Sequence, residues 1–227
     1  MNGVIIVAAG SGSRMNMGIN KQFIQIKGKE ILAYTIDKFY NNKNIDKIVV
    51  VSKESELEFI EQSILNKYKF HNISVVSGGK ERQDSVYNGL LELGGNYEIV
   101  LVHDGARPFI TNSVIDKSIE EAIKNNAVVV GVPVKDTIKV VNNHQEVVQT
   151  PKRDLLWMVQ TPQVFKYNIL KNAYDKAYEE GFYGTDDAML VERSGQVVKM
   201  INGSYDNIKI TTVEDLDIGE QIINKQK

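Results

Sequence analysis

Residues 4–15 read Val-Ile-Ile-Val-Ala-Ala-Gly-Ser-Gly-Ser-Arg-Met. Val4–Ala8 is a continuous apolar run, as a strand covered on both faces requires. It then passes directly into a loop holding two glycines and a cation. The run is too short to span a membrane and no basic segment precedes it, so it reads as a buried strand of a cytoplasmic protein, neither a signal peptide nor a membrane anchor.

Outward from this stretch, strand and helix signals alternate. Glu30–Tyr40 carries Ile31, Leu32, Thr35, Ile36 and Phe39 on one helical side. Lys47–Val51 is a short buried strand. Glu54–Tyr68 spaces Leu57, Ile60, Ile64 and Tyr68 as a helix. Ile73–Val76 is a third strand, and Gly78-Gly79-Lys80 breaks the chain before a helix through Asn88 and Leu91. Glu98–Val102 is a fourth strand; Asn112–Lys124 is a helix stacking Ile115, Ile119 and Ile123; Ala127–Pro133 is a fifth strand. This order predicts an α/β fold: a Rossmann-like, mostly parallel sheet with helices on both faces. Ligands of such sheets sit at the carboxyl ends of the strands, here after Val7, Ser77, Val102 and Val132. Residues 136–150 break the alternation. Two β-rich runs flank Asn142-Asn143-His144-Gln145, which reads as a hairpin. It has few apolar residues to bury at home, so it is either a surface hairpin or an arm of about residues 136–155 that packs on a second subunit.

The bulk numbers limit what this fold can do. The 227 residues suit one domain. A net charge of −2 argues against a nucleic-acid surface, so any phosphate chemistry must rest on a local cation cluster. There is no cysteine, which excludes disulfides, thiolate metal sites and a cysteine nucleophile. His71, His103 and His144 are scattered without zinc spacing.

In the loop, Gly10 and Gly12 let backbone amides approach phosphate oxygens. A dinucleotide fingerprint would need glycine where Met15 stands, which argues against a nicotinamide oxidoreductase, and no Walker sequence occurs. Lys21 joins Arg14 as a second cation on the same side. Together they suit a reaction that builds negative charge on phosphate; the alternative is two solvated loop cations. Asp104, within His103-Asp104-Gly105-Ala106-Arg107-Pro108, follows the fourth strand and suits Mg²⁺ carried by a triphosphate, or else a turn or cap. His103 reads as a packed histidine, and Arg107 as an ion-pair partner of Asp104. Arg153 follows the arm. Lys209 reads as the polar member of an Ile-Lys-Ile strand, in need of a partner that an acceptor phosphate would supply. Thr211–Asp215 has the pattern of a helix cap.

The ordered set VAAGSGSRM, KQF, GGKERQDSVYNGL, VHDGARPF, VPVKDTIKVV, LWMVQTPQVF, TDDAMLVE and NIKITTVEDL resembles the 2-C-methyl-D-erythritol 4-phosphate cytidylyltransferase family over residues 3–220. The resemblance implies CMP transfer from CTP to methylerythritol phosphate with Mg²⁺, with neither nucleic acid nor membrane as partner. It implies that Arg14 and Lys21 stabilise the transition state, and that Ala8, Ala9, Gly10 and Gly12 cradle the triphosphate. Gly79 and Ser85 would read cytosine, and Asp104 would lie near the metal and the ribose or acceptor. Arg107, Thr137, Arg153, Thr161, Thr185 and Lys209 would form the acceptor site. It also implies a homodimer with exchanged arms, in which Thr137 and Arg153 serve the partner's site. Ribitol 5-phosphate cytidylyltransferases are the nearest rival, but they tend to begin L-A-G-G and to carry V-R-P-F after their aspartate. Two departures stand out. Asn20 replaces the usual proline before Lys21, leaving the loop's approach without proline's constraint, and Gly105 replaces alanine, removing a methyl group.

Overall fold

The computed structural model describes residues 1–10 and 20–225. In chain order the elements are β1 (Asn2–Val7), β2 (Gln25–Ile26), β3 (Lys29–Glu30), α1 (Ile31–Tyr40), β4 (Lys47–Ser52), α2 (Leu57–Ile60), β5 (Ile73–Ser77), α3 (Arg82–Leu93), β6 (Ile99–Asp104), α4 (Asn112–Asn125), β7 (Ala127–Pro133), β8 (Val140–Val141), β9 (Val147–Gln149), β10 (Trp157–Lys166), α5 (Tyr167–Glu179), α6 (Asp187–Arg193), β11 (Lys199–Asn202) and α7 (Glu214–Lys225). A 3-10 turn precedes α2, and a π-helical turn over Glu61–Asn66 continues it.

The central sheet has the order β11-β7-β10-β6-β1-β4-β5. β1 pairs in parallel with β4 and β6, β4 with β5, and β7 with β11. β10 alone runs antiparallel, between β6 and β7. The order reverses direction between β1 and β6, the switch point where a doubly wound sheet opens a crevice.

Alternation along β1 shows why its run is apolar throughout. Val4, Ile6 and Ala8 pack with Leu32, Ile36 and Phe39 of α1 and Ile115 and Ile119 of α4. Ile5 faces Val86 and Leu90 of α3 and Leu170 and Tyr174 of α5. Burying one such side chain stabilises by about 1.5–3 kcal/mol. A third, smaller cluster joins Ile26, Phe109, Ile210 and Ile222, seating α7 against β2.

Four sequence expectations are modified. Ile123 is 49% exposed, and Ala122 takes its buried place. Two steps of four residues rotate about 80° off the helix face, whereas seven residues return to it. The stretch around Lys209 forms no strand; it is a loop, with only Ile210 fully buried. β10, the antiparallel strand, had no sequence-based strand assignment, because its inner half is buried and its outer half is exposed, so neither alternation nor a uniform apolar run marks it. Gly105 is more than a missing methyl: a Cβ there would lie 2.4 Å from Gln22 Oε1 and 3.2 Å from Leu32 Cδ1. The hairpin forms as expected, with β8 antiparallel to β9. Asn142 Oδ1 accepts from the amides of His144 and Glu146 at 2.9 and 3.1 Å to close its turn.

Candidate active site

A cleft of about 380 Å³ opens at the carboxyl ends of β1, β5 and β6. Val7, Ala9, Gly10, Lys21, Gln22, Lys53, Gly79, Lys80, Glu81, Arg82, Ser85, Asp104, Ala106 and Lys209 line it. Five of these side chains are cationic and two acidic, so the described walls carry three positive charges net. A concave, positively charged crevice concentrates polyanions.

The Gly-rich loop enters from β1. Ala8 is buried, its amide donating to Val51 O at 2.6 Å, while Ala9 and Gly10 line the cleft. Gly12 and Arg14 lie outside the described residues. Lys21 is buried, 8% exposed, in a 3-10 turn capped by Asn20. Asn20 has φ −60°, the value proline would impose. Its Oδ1 accepts from Gln22 N at 3.3 Å, and its Nδ2 donates to Glu56 Oε1 at 3.0 Å. The asparagine thus holds by hydrogen bonds the geometry that proline fixes covalently.

The opposite wall is the turn before α3. Gly79 N donates to Ser85 Oγ, which donates to Glu81 O, both at 3.1 Å. Glu81 and Asp84 form a reciprocal capping box. A Cβ at Gly78 would lie 2.7 Å from Ser85 Oγ, and one at Gly79 would lie 2.3 Å from Asp84 Cβ. Both glycines are therefore required by close approach, and the turn presents its backbone to the cleft.

Asp104 ends β6 at the floor. Lys209 Nζ stands 2.8 Å from Oδ2, Arg107 Nε 3.6 Å from Oδ2, and Arg82 Nε 4.0 Å from Oδ1. Burial disfavours the charge, but Lys209, Arg82 and Arg107 outweigh it and hold the carboxyl well below the usual range. The partner required by Lys209 is thus Asp104 within this chain. Arg107 turns inward: it donates to Asn207 O at 2.8 Å and supports Asp104 from behind, outside the lining of the cleft.

Behind Asp104 runs a polar relay. Asp104 N donates to Thr161 Oγ1 at 3.1 Å, and Thr161 Oγ1 lies 3.1 Å from His103 Nδ1. His103 Nε2 lies 3.0 Å from Arg107 O. A carbonyl only accepts, so Nε2 carries the proton, Nδ1 accepts, and the Thr161 hydroxyl donates to it. Burial pushes His103 down to about 4, so it stays neutral. His103 is a packed histidine, as expected, and Thr161 orients the Asp104 backbone.

Thr137, Arg153 and Thr185 are exposed and do not line this cleft. Arg153 Nη1 donates to Lys135 O at 3.1 Å, and Thr185 Oγ1 lies 3.6 Å from Met189 Sδ. Among the described residues, none directly after Val132 lines this cleft. Sequence reasoning missed Gln22, Lys53, Lys80 and Arg82. Lys80 and Arg82 lie in the stretch that supplied Gly79 and Ser85, where cation density was the available signal. Lys53 follows β4 directly, at a strand end the reading passed over.

The family model described as 2-C-methyl-D-erythritol 4-phosphate cytidylyltransferase matches residues 3–225. A protein of that description from Clostridioides difficile (strain 630) is 59% identical over 227 residues, spanning 100% of this chain and 95% of the relative. One from Alkaliphilus metalliredigens (strain QYMF) is 53% identical, spanning 99% and 93%. The crystal structure of 4-diphosphocytidyl-2C-methyl-D-erythritol synthase from Anaerococcus prevotii DSM 20548 superposes with a TM-score of 0.88 at 36% identity, covering 99% of this chain and 96% of that one. The cytidylyltransferase structure from Thermus thermophilus superposes with a TM-score of 0.80 at 28% identity, covering 99% and 100%. On sequence and architecture together, this chain belongs to the 2-C-methyl-D-erythritol 4-phosphate cytidylyltransferase family.

Proposed function

We infer that the protein transfers CMP from CTP to 2-C-methyl-D-erythritol 4-phosphate, releasing pyrophosphate and forming 4-diphosphocytidyl-2-C-methyl-D-erythritol, a step of isoprenoid biosynthesis. The observation that carries this reading is the cation-rich cleft at the β1/β6 switch point of a chain of this family. An acceptor phosphate oxygen attacks the α-phosphorus of CTP, the bond to the β-phosphate oxygen breaks, and pyrophosphate leaves with that electron pair. The nucleophile is already ionised, so the protein supplies position and charge.

Each residue's part is our assignment. Ala9, Gly10 and Gly12 hold the triphosphate through the backbone, with Ala8 anchoring the start of that stretch through its bond to Val51 O, and Gly79 and Ser85 read the base. Arg14 and Lys21 neutralise charge that grows in the transition state. Lys209 exchanges Asp104 for the acceptor phosphate, while Arg107 and Thr161 keep Asp104 aligned. Mg²⁺ is the proposed cofactor. No group of three metal-ligating side chains occurs among the described residues. A single carboxylate such as Asp104 fits an ion whose other ligands are triphosphate oxygens and water. The ion would neutralise triphosphate charge when bound.

We read the 227 residues as one nucleotidyltransferase domain whose arm crosses a homodimer. Val147 and Val148 on the arm are 57% and 61% exposed, and Leu155 at its end is 77% exposed. Thr137, Arg153 and Thr185 then belong to composite sites, the first two serving the partner's cleft. No described helix is long and apolar enough to cross a membrane; the cytoplasm, where CTP is at hand, is the proposed location. The test is pyrophosphate release from CTP and Mg²⁺ with methylerythritol 4-phosphate beside ribitol 5-phosphate. Release with the first alone is expected; release with the second alone would keep the mechanism and overturn the acceptor.

A further inference from the structure

Arg82 commits its guanidinium fork away from the cleft it lines. Nη1 and Nη2 donate to Oδ1 and Oδ2 of Asp187 at 3.0 and 2.8 Å, a bidentate pair. Asp187 is fully buried in the first turn of α6. Its Oδ1 also accepts from the Tyr174 hydroxyl at 2.5 Å, and Tyr87 stacks on that ring with centroids 5.8 Å apart. Gln163 of β10 seats the same turn: its Oε1 accepts from Ala188 N at 2.9 Å and its Nε2 donates to Asp186 Oδ2 at 2.8 Å. The Asp187 carboxylate is thus placed by β10, α5 and α6 together. With the fork engaged, Arg82 offers Asp104 only Nε, at 4.0 Å from Oδ1. The closer cations, Lys209 and Arg107, both lie on Oδ2.

We propose that Asp187 is a positioning residue for the transfer reaction: it holds the Arg82 fork back from Asp104, so that Arg82 lends charge to the cleft wall while Asp104 Oδ1 stays open to an incoming ligand. The inference rests on the cytidylyltransferase reading of the cleft. Its physical basis is competition between two carboxylates for one planar cation, and the bidentate pair with the buried Asp187 wins. Remove the charge at Asp187 and Asp104 becomes the better partner. Arg82 then closes on Oδ1 and takes up cleft space beside Asp104.

Asp187→Asn keeps the shape and the acceptor for Tyr174 while removing the charge. Calorimetric titration with CTP in Mg²⁺ is expected to show about tenfold weaker binding, with the KM for methylerythritol phosphate moving less than about twofold. In an Arg82→Met background the same change is expected to alter CTP affinity by less than about twofold, since the residue acts through Arg82. An equal loss in both backgrounds, or unaltered CTP affinity in the otherwise native chain, overturns the proposal. Should Asp187→Asn fail to fold, Arg82→Lys serves instead. It keeps a cation without the fork and is expected to bind CTP about tenfold more weakly; native affinity there overturns the proposal. Pyrophosphate release by the unaltered protein separates the two levels. Its failure would remove the cytidylyltransferase reading, whereas its success with no effect of Asp187→Asn removes this inference alone.

Discussion

Lys21 and His103 are both buried, yet they carry different expectations. Lys21 lines the cleft from a capped turn, and our assignment gives it a charge that counts most in the transition state. Lys21→Ala is therefore expected to lower kcat by about 10²–10³ while the CTP KM changes by no more than a few-fold; a loss confined to KM would reassign it to ground-state binding. His103 makes a statement about stability. The unfolded chain protonates it near 6.5, whereas the folded protein resists until about 4. The unfolded state binds the extra proton in that window, so stability is complete above about 6.5 and falls as pH drops toward about 4, by roughly 3 kcal/mol. Urea unfolding between about pH 7 and about 4.5, a range above the ordinary titration of Asp104, should show this slope, and His103→Gln should flatten it. An unchanged slope would mean that His103 is not the group responsible.

At the scale of elements, α3 is both a packing unit and a wall of the cleft. A Cβ at Gly89 would lie 2.6 Å from Ile5 Cγ2 and 2.8 Å from Val51 Cγ2, so α3 rides on β1 and β4 at a distance only glycine permits. Gly89→Ala gains about 1 kcal/mol of helix propensity, yet overpacking of this kind costs about 1–3 kcal/mol. The expected result is a lower thermal midpoint, together with a several-fold higher CTP KM as Arg82 and Ser85 move outward with the helix. A stabilised variant with native KM would show that the sheet yields instead. The arm tells the opposite story, since its valines face outward and its own pairing amounts to two short strands.

At the scale of the whole molecule, the dimer proposal makes a quantitative prediction. If the arm of one subunit completes the other's cleft, Lys21→Ala and Arg153→Ala should complement each other when mixed after dissociation. Half of the dimers would be mixed and each would carry one intact site of two, giving about a quarter of native activity from two nearly inactive proteins. No recovery would place Arg153 in its own chain's site or outside the reaction. Val148→Asp in the arm should shift the protein toward monomer and lower activity with it, as sedimentation and turnover measured together would reveal.

Much of this molecule was legible in the residues themselves. Uniform apolar runs marked β1, β4, β6 and β7 because both faces of a parallel sheet are covered, and glycines marked two turns that contribute Gly10 and Gly79 to the cleft. Asp104, Lys21 and Lys209 could likewise be picked out as candidate site residues from residue type and place along the chain, and all three line the cleft. Only the tertiary structure decided that Lys209 pairs with Asp104, that Thr161 supports the floor from behind, and that a fully buried Asp187 engages the fork of Arg82. The pairs Asp104–Thr161, Asp104–Lys209 and Arg82–Asp187 join residues 57 to 105 positions apart. Periodicity reports which face a side chain occupies within its own element; it carries no information about which distant charge will neutralise it. The antiparallel course of β10 belongs with them, because strand direction is settled by the neighbours that take its hydrogen bonds.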